Sequence, residues 1–183
     1  MSELPVFASD GVRAVRTDVF ADELVASAAV ARERLWLSMF LAGLTVADLD
    51  GEVRRVLREV VLARARGVDV RVLVDDFTVG PEVGRPNSPA AEWLTRRAVA
   101  VRTSGVGRRR SVHAKYVLVD EASALVGSGN LTPGALASNA ELGILVHSRP
   151  LVRSLASSFE REWARARPWA GAADVARAVE EGA

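Results

Sequence analysis

Residues 51–75 constrain the fold more than any other stretch of the chain. Helical spacing of apolar residues begins at Asp50 or Gly51 and continues through Arg66; Gly67 stops it, and residues 68–75, VDVRVLVD, follow as a β-branched strand. Upstream, residues 35–40 form a compact apolar run of strand length. Strand, helix and strand in tandem make a β-α-β unit, which belongs in a layered α/β fold with helices covering a central sheet.

The remaining segments continue the alternation. Residues 12–16 read as a short strand and residues 18–34 as an amphipathic helix capped by Thr17. Residues 77–87 carry two Gly and two Pro and read as a loop, after which Ser88 and Pro89 are the N-cap and first position of a helix ending near Arg97. A short strand follows at 99–102, a Gly/Arg loop at 103–111, and strands at 112–119, 124–126 and 142–146. Pro150 opens a last helix that runs to about Arg165. With 183 residues the chain has room for one domain, expected over 1–167, followed by a tail at 168–183 with helical potential over 174–181.

Composition narrows the chemistry. There is no cysteine and there are only two histidines, so neither thiolate metal sites nor a zinc or iron centre is expected, and no cofactor is assigned. Residues 1–11 lack a basic start followed by an apolar run, and the longest apolar stretch, 35–44, is far short of a membrane span. The expectation is a cytoplasmic protein without a membrane anchor. Net charge is only +1, but eight basic residues against one acid lie between Arg85 and Lys115, which leaves the rest of the chain at −6. That asymmetry fits a surface that meets a polyanion, although a solvated charged face has the same composition.

The segment VHAKYVLVD, residues 112–120, is followed after six residues by GSGN, residues 127–130. On a strand, alternate side chains share a face, so His113 and Lys115 converge on one small anion, whereas Asp120 has the opposite parity and falls on the other face or at the strand end. Lys115 is the only lysine beside 23 arginines. A compact ammonium suits a single phosphate oxygen in a tight site better than a planar guanidinium does. Either residue alone has an ordinary structural explanation; together with a Gly-Ser-Gly-Asn turn that aims a hydroxyl and an amide at the same point, they make a phosphate-binding constellation. His147 has no such company and reads as structural or surface.

The spacing H-x-K-x-x-x-x-D-x-x-x-x-x-x-G-S-x-N, carried by His113, Lys115, Asp120, Gly127, Ser128 and Asn130, resembles the HKD motif of the phospholipase D superfamily. RGVDVRVLVDD at 66–76 is similar to that family's strand after its first crossover helix, SNAELGILV at 138–146 to the segment bearing the acidic partner of the histidine, and SSFEREW at 157–163 to its closing helix. The resemblance implies a mixed sheet flanked by helices on both faces, an α-β-α sandwich. It implies a metal-independent phosphodiesterase working through a phosphohistidine. His113 would be nucleophile in one subunit and acid/base in the other, Lys115 and Asn130 would hold non-bridging oxygens, Ser128 would support the turn, and Glu141 would accept from the imidazole N–H. Asp120 belongs to the motif, with a structural role by its parity. With one motif per chain, a homodimer sharing its site is implied.

Arg108, Arg109 and Arg110, directly before His113, favour an extended polyanion, so the expected substrate is a DNA or RNA backbone. Three rivals compete with this reading. A phospholipid or cardiolipin hydrolase wants an apolar rim beside the site, and residues 77–87 are not notably greasy. A non-catalytic nucleic-acid-binding subunit of a larger defence or repair assembly need not keep His113, Lys115 and Asn130. The third, a structural domain with a coincidental motif, runs against the length of the match.

Overall fold

The computed structural model describes residues 11–44, 51–75, 81–104 and 111–171, with the backbone alone for 81–86. Eight strands and five helices alternate along them: β1 (Val12–Arg16), α1 (Thr17–Val30), β2 (Arg34–Met39), α2 (Glu52–Ala65), β3 (Asp69–Asp75), α3 (Pro81–Thr95), β4 (Ala100–Ser104), β5 (Tyr116–Val119), β6 (Ser123–Gly127), α4 (Pro133–Ala137), β7 (Leu142–Val146), α5 (Arg149–Arg165) and β8 (Arg167–Pro168). The strands form one mixed sheet in the order β1-β7-β6-β5-β2-β3-β4-β8. β2, β3 and β4 are parallel, and every other pairing is antiparallel.

Strand alternation sorts the core into two layers. Leu35, Leu37, Val70, Val72, Val117 and Leu125 face one way and are buried with α1, α2, α3 and α4. Trp36, Leu73, Tyr116, Leu118 and Ala124 face the other way and are buried under Val152, Ala156 and Phe159 of α5. Helices thus cover both faces, as expected of the α-β-α sandwich. On the α5 side, Trp36, Phe159 and Trp163 stack in file at centroid distances of 5.1 and 5.6 Å. Arg71 lies over both Trp36 and Trp163, burying its stem on aromatic surface while its charge meets Asp69.

Four local expectations are corrected. The α1 helix ends at Val30 rather than 34, because the backbone N–H groups of Arg32, Glu33 and Arg34 turn to the Asp120 carboxylate instead of continuing the helix. Thr17 is not the N-cap of α1; its hydroxyl donates to the Asn139 carbonyl at 2.7 Å and accepts from Glu141 N at 2.8 Å, tying α1 to the approach to β7. The α3 helix begins at Pro81, inside the expected loop. Pro fits a first helical position because the N–H it lacks has no partner there, and burial of Asn87, Ala90, Ala91 and Leu94 holds the helix despite Pro86 and Pro89. Finally, β5 begins only at Tyr116, so residues 112–115 carry no strand ladder. Two short elements, α4 and β8, have no counterpart in the sequence reading. The chain stays with the sheet past 167: Arg167 and Pro168 pair with Thr103 and Arg102, and Trp169 N donates to the Val101 carbonyl at 3.0 Å.

Candidate active site

The C-terminal ends of β2, β3 and β4 point to the same edge of the sheet as the start of β5, the end of β6 and the start of β7. In open α/β sheets this edge is where ligands bind, and here β2 has a parallel neighbour on one side and an antiparallel one on the other. His113 arrives there on an extended segment that other side chains hold in place of a ladder. Ser38 Oγ donates to the Ala114 carbonyl at 3.0 Å, and Lys115 Nζ donates to the His113 carbonyl at 2.8 Å. The imidazole is exposed on one side and rests on Phe40 at a centroid distance of 4.5 Å and a 45° tilt.

The structure brings Lys115 to the histidine. Its Nζ lies 3.2 Å from His113 Nδ1 and 5.3 Å from the centre of the Phe40 ring, while the residue as a whole is only 8% exposed. Burial pushes the ammonium pKa below the ordinary lysine value, and the negative charge of Glu141 opposes that shift. Next in sequence, burial and the Glu162 charge push the Tyr116 phenol up to about 12, with the Ser38 hydrogen bond and Arg161 opposing.

The Gly-Ser-Gly-Asn turn closes the other side. Gly127 N donates to the Lys115 carbonyl at 3.1 Å and Ser128 N to the Leu142 carbonyl at 3.0 Å. Its glycines are required by close approach: a Cβ on Gly129 would stand 2.9 Å from Phe20 Cε1, and one on Gly127 3.0 Å from Gly143 Cα. Phe20 of α1 therefore fits under the turn only while Gly129 stays bare, and β7 approaches as it does only while Gly127 stays bare. Asn130 Oδ1 accepts from Leu41 N at 3.1 Å, which orients the amide and leaves its NH2 as the donor for a ligand.

Glu141 sits differently from the expectation. Its carboxylate accepts from the Ser128 hydroxyl and, at 3.3 Å, from Asn139 Nδ2. Among the described residues no hydrogen bond joins it to the imidazole, whose Nδ1 faces Lys115 instead. The reason is local: Ser128 and Leu142 are hydrogen-bonded neighbours across the mouth of β6 and β7, so the hydroxyl is the nearest donor.

Asp120 lies at the far end of β5 from His113. With φ at +52° it presents its carboxylate to the backbone N–H groups of Glu33 and Arg34 at 2.8 and 2.9 Å, and the Arg34 guanidinium clasps its carbonyl. His147 lies beyond the end of β7 away from the site, with its N–H on the Gly11 carbonyl. Arg108, Arg109 and Arg110 fall outside the described residues.

Three residues that the motif did not reveal also build the site. Phe40 floors the imidazole. Asp75, wholly buried at the end of β3, accepts from Ser111 Oγ and Val112 N at 2.5 and 2.6 Å. Asn87 of α3 accepts from Ala42 N at 2.6 Å and donates to the carbonyls of Phe40 and Asp75. A carboxylate directly after the apolar run 72–74 was the one visible signal; nothing local marks Asn87 or Phe40. Chemically, the same edge of the sheet carries an accessible imidazole with an ammonium beside it and an amide donor, a set suited to a tetrahedral oxyanion.

A family model described as "Cardiolipin synthase, PLD-like domain" matches residues 24–163. Cardiolipin synthase B of Salmonella typhi is 30% identical over 114 residues, covering 58% of this chain and 25% of that protein. Mitochondrial cardiolipin hydrolase of Xenopus tropicalis is 34% identical over 112 residues, covering 58% and 47%. The chain therefore spans a quarter to a half of these curated relatives. Among solved structures, Nuc, a phospholipase D family member from Salmonella typhimurium, superposes with a TM-score of 0.72 at 18% identity, covering 86% of this chain and 97% of its own. NucT from Helicobacter pylori gives 0.66 at 14% identity, covering 86% and 98%.

Proposed function

The chain belongs to the phospholipase D superfamily, and on that premise we propose that it is a metal-independent phosphodiesterase hydrolysing DNA or RNA in an active site shared by two copies. The observation that carries the reading is the convergence of His113, Lys115 and Asn130 on one edge of the sheet. His113 Nε2 attacks phosphorus, and a P–N bond forms as the bond to the leaving oxygen breaks. His113 of the partner subunit gives its proton to that oxygen. It then takes a proton from water, whose oxygen displaces the first imidazole and restores both groups. Lys115 and Asn130 hold the non-bridging oxygens, and Ser128 and Glu141 brace the turn between them.

Three features support the shared site. The chain has two histidines, and the second lies away from the first. It matches nearly the full length of the short Nuc and NucT chains. Beside the site, Leu142 and Ile144 of β7 stand 58% and 44% exposed on the α5 side of the sheet, an apolar face adjoining Ser128 and Glu141. A second copy seated there would bring a second His113 to the same edge. The Arg run at 108–110 supports a nucleic-acid backbone as substrate.

Cleavage of labelled single- and double-stranded DNA and RNA in excess EDTA, compared with His113→Ala, tests the assignment. EDTA-resistant cleavage lost in the variant is the expected result. The names of the curated relatives favour a second reading, a phospholipid phosphodiester, so cardiolipin vesicles belong in the same assay. Cleavage of cardiolipin with none of nucleic acid would replace the nuclease reading. Among the described residues, no helix is long and apolar enough to cross a membrane.

A further inference from the structure

Asp75 is the last residue of β3, on the same face as Leu73, and it is 0% exposed. A carboxylate removed from water costs several kcal/mol unless charge-assisted hydrogen bonds compensate. For stability alone, an apolar side chain such as that of Leu73 would serve this end of the strand. What the carboxylate does instead is hold Ser111 Oγ at 2.5 Å and Val112 N at 2.6 Å, both on one oxygen.

Those two residues immediately precede His113, on a stretch that no strand ladder supports. Asp75 is itself seated by its backbone: its carbonyl accepts from Asn87 Nδ2, and the same amide accepts from Ala42 N and donates to the carbonyl of Phe40, the ring on which the imidazole rests. The end of β3 thus fixes both the peptide that delivers the histidine and the aromatic floor beneath it.

We propose that Asp75, seated by Asn87, is a positioning residue for His113: it sets the imidazole in its attacking orientation without touching substrate. The inference rests on the reading of His113 as the nucleophile. Because a misplaced reacting group loses rate rather than binding, the effect falls on kcat.

The test uses the full chain and bis(p-nitrophenyl) phosphate, a plain phosphodiester, with the His113 ring followed separately by proton NMR. Only two histidines contribute ring signals, and His147→Gln assigns them. Asp75→Ala is expected to lower kcat about 10- to 100-fold with KM changed less than about twofold, and to displace the His113 signal. Asp75→Asn keeps an oxygen for both donors and is expected to recover kcat to within about fivefold of wild type. A folded Asp75→Ala with wild-type kcat, or an undisturbed His113 signal, overturns the proposal. So does a loss that appears in KM alone. If Asp75→Ala fails to fold, Ser111→Ala, which removes one of the two donors, decides: a kcat at least about threefold lower supports the clamp, and an unchanged one overturns it. A wild type that cleaves no phosphodiester would defeat the functional reading, while the NMR comparison would still decide whether Asp75 positions the ring.

Discussion

Lys115 Nζ lies 3.2 Å from His113 Nδ1 and donates to the carbonyl of the same histidine at 2.8 Å. An ammonium on Nδ1 makes that nitrogen the acceptor and places the neutral ring's proton on Nε2, the outward nitrogen. In the chain described, Nε2 therefore carries the neutral ring's proton; attack by Nε2 requires that proton to move to Nδ1 and the ammonium to turn toward a phosphate oxygen, whereas the acid role requires the imidazolium, with a proton on both nitrogens. A two-copy site would need one neutral histidine as nucleophile and one imidazolium as acid.

The first prediction concerns that lysine. Burial lowers its pKa, so the ammonium loses its proton below the ordinary value of 10.5. The alkaline limb of kcat/KM for phosphodiester hydrolysis should accordingly fall below pH 10.5, and Lys115→Arg should remove the limb while lowering the plateau. For stability the sign is opposite to that of a salt-bridged lysine. Between the folded and unfolded pKa values the unfolded chain binds more protons, so stability rises with pH there. Lys115→Met should thus abolish activity and raise Tm in a thermal melt.

Tyr116 is the only tyrosine in the chain, so tyrosinate absorbance reports it alone. Its midpoint should lie near 12. The raised folded pKa contributes stability that is complete below the unfolded value of about 10 and is lost as pH rises through the folded one. Glu162→Gln, which removes the second cause of the shift, should lower the midpoint.

Gly129→Ala should destabilise the fold by about 1–3 kcal/mol in urea unfolding, since the new methyl would meet the buried Phe20 ring at 2.9 Å. Phe20→Leu should offset part of that loss, so the two changes together would cost less than their sum.

Asp120→Ala should cost about 2–3 kcal/mol by leaving backbone N–H groups at the α1–β2 turn without their acceptor. Asp120→Asn keeps an oxygen and tolerates the φ of +52°, so it should cost about 1 kcal/mol or less. The kcat per folded molecule should be unchanged in both, because the residue lies at the opposite end of β5 from His113.

Sequence alone was a good guide wherever the determining interactions are local or periodic. The runs of β1 and β7 were legible to the residue, and the β2-α2-β3 unit to within a residue or two at each end, with Gly67 at its φ of +91°. The approach of Lys115 to His113 was legible through their spacing, because side chains two apart on an extended segment share a face whether or not a ladder forms. The α3 helix was not, since the Gly and Pro residues that locally argue for a loop are overridden by burial of Asn87, Ala90, Ala91 and Leu94.

What only the tertiary structure decided is how those residues are held. Asp75 reaches Val112 across 37 positions, Asn87 reaches Phe40 across 47, and Leu41 reaches Asn130 across 89. Glu141 is drawn to Ser128 rather than to the imidazole by strand pairing between β6 and β7. Hydrogen bonds of this kind join groups with no periodic relation along the chain, and they form only once the sheet has brought its strand ends to one edge. The sequence determined which chemical groups the site contains and which layers form; the packed sheet decided the partner of each group and the orientation of the histidine.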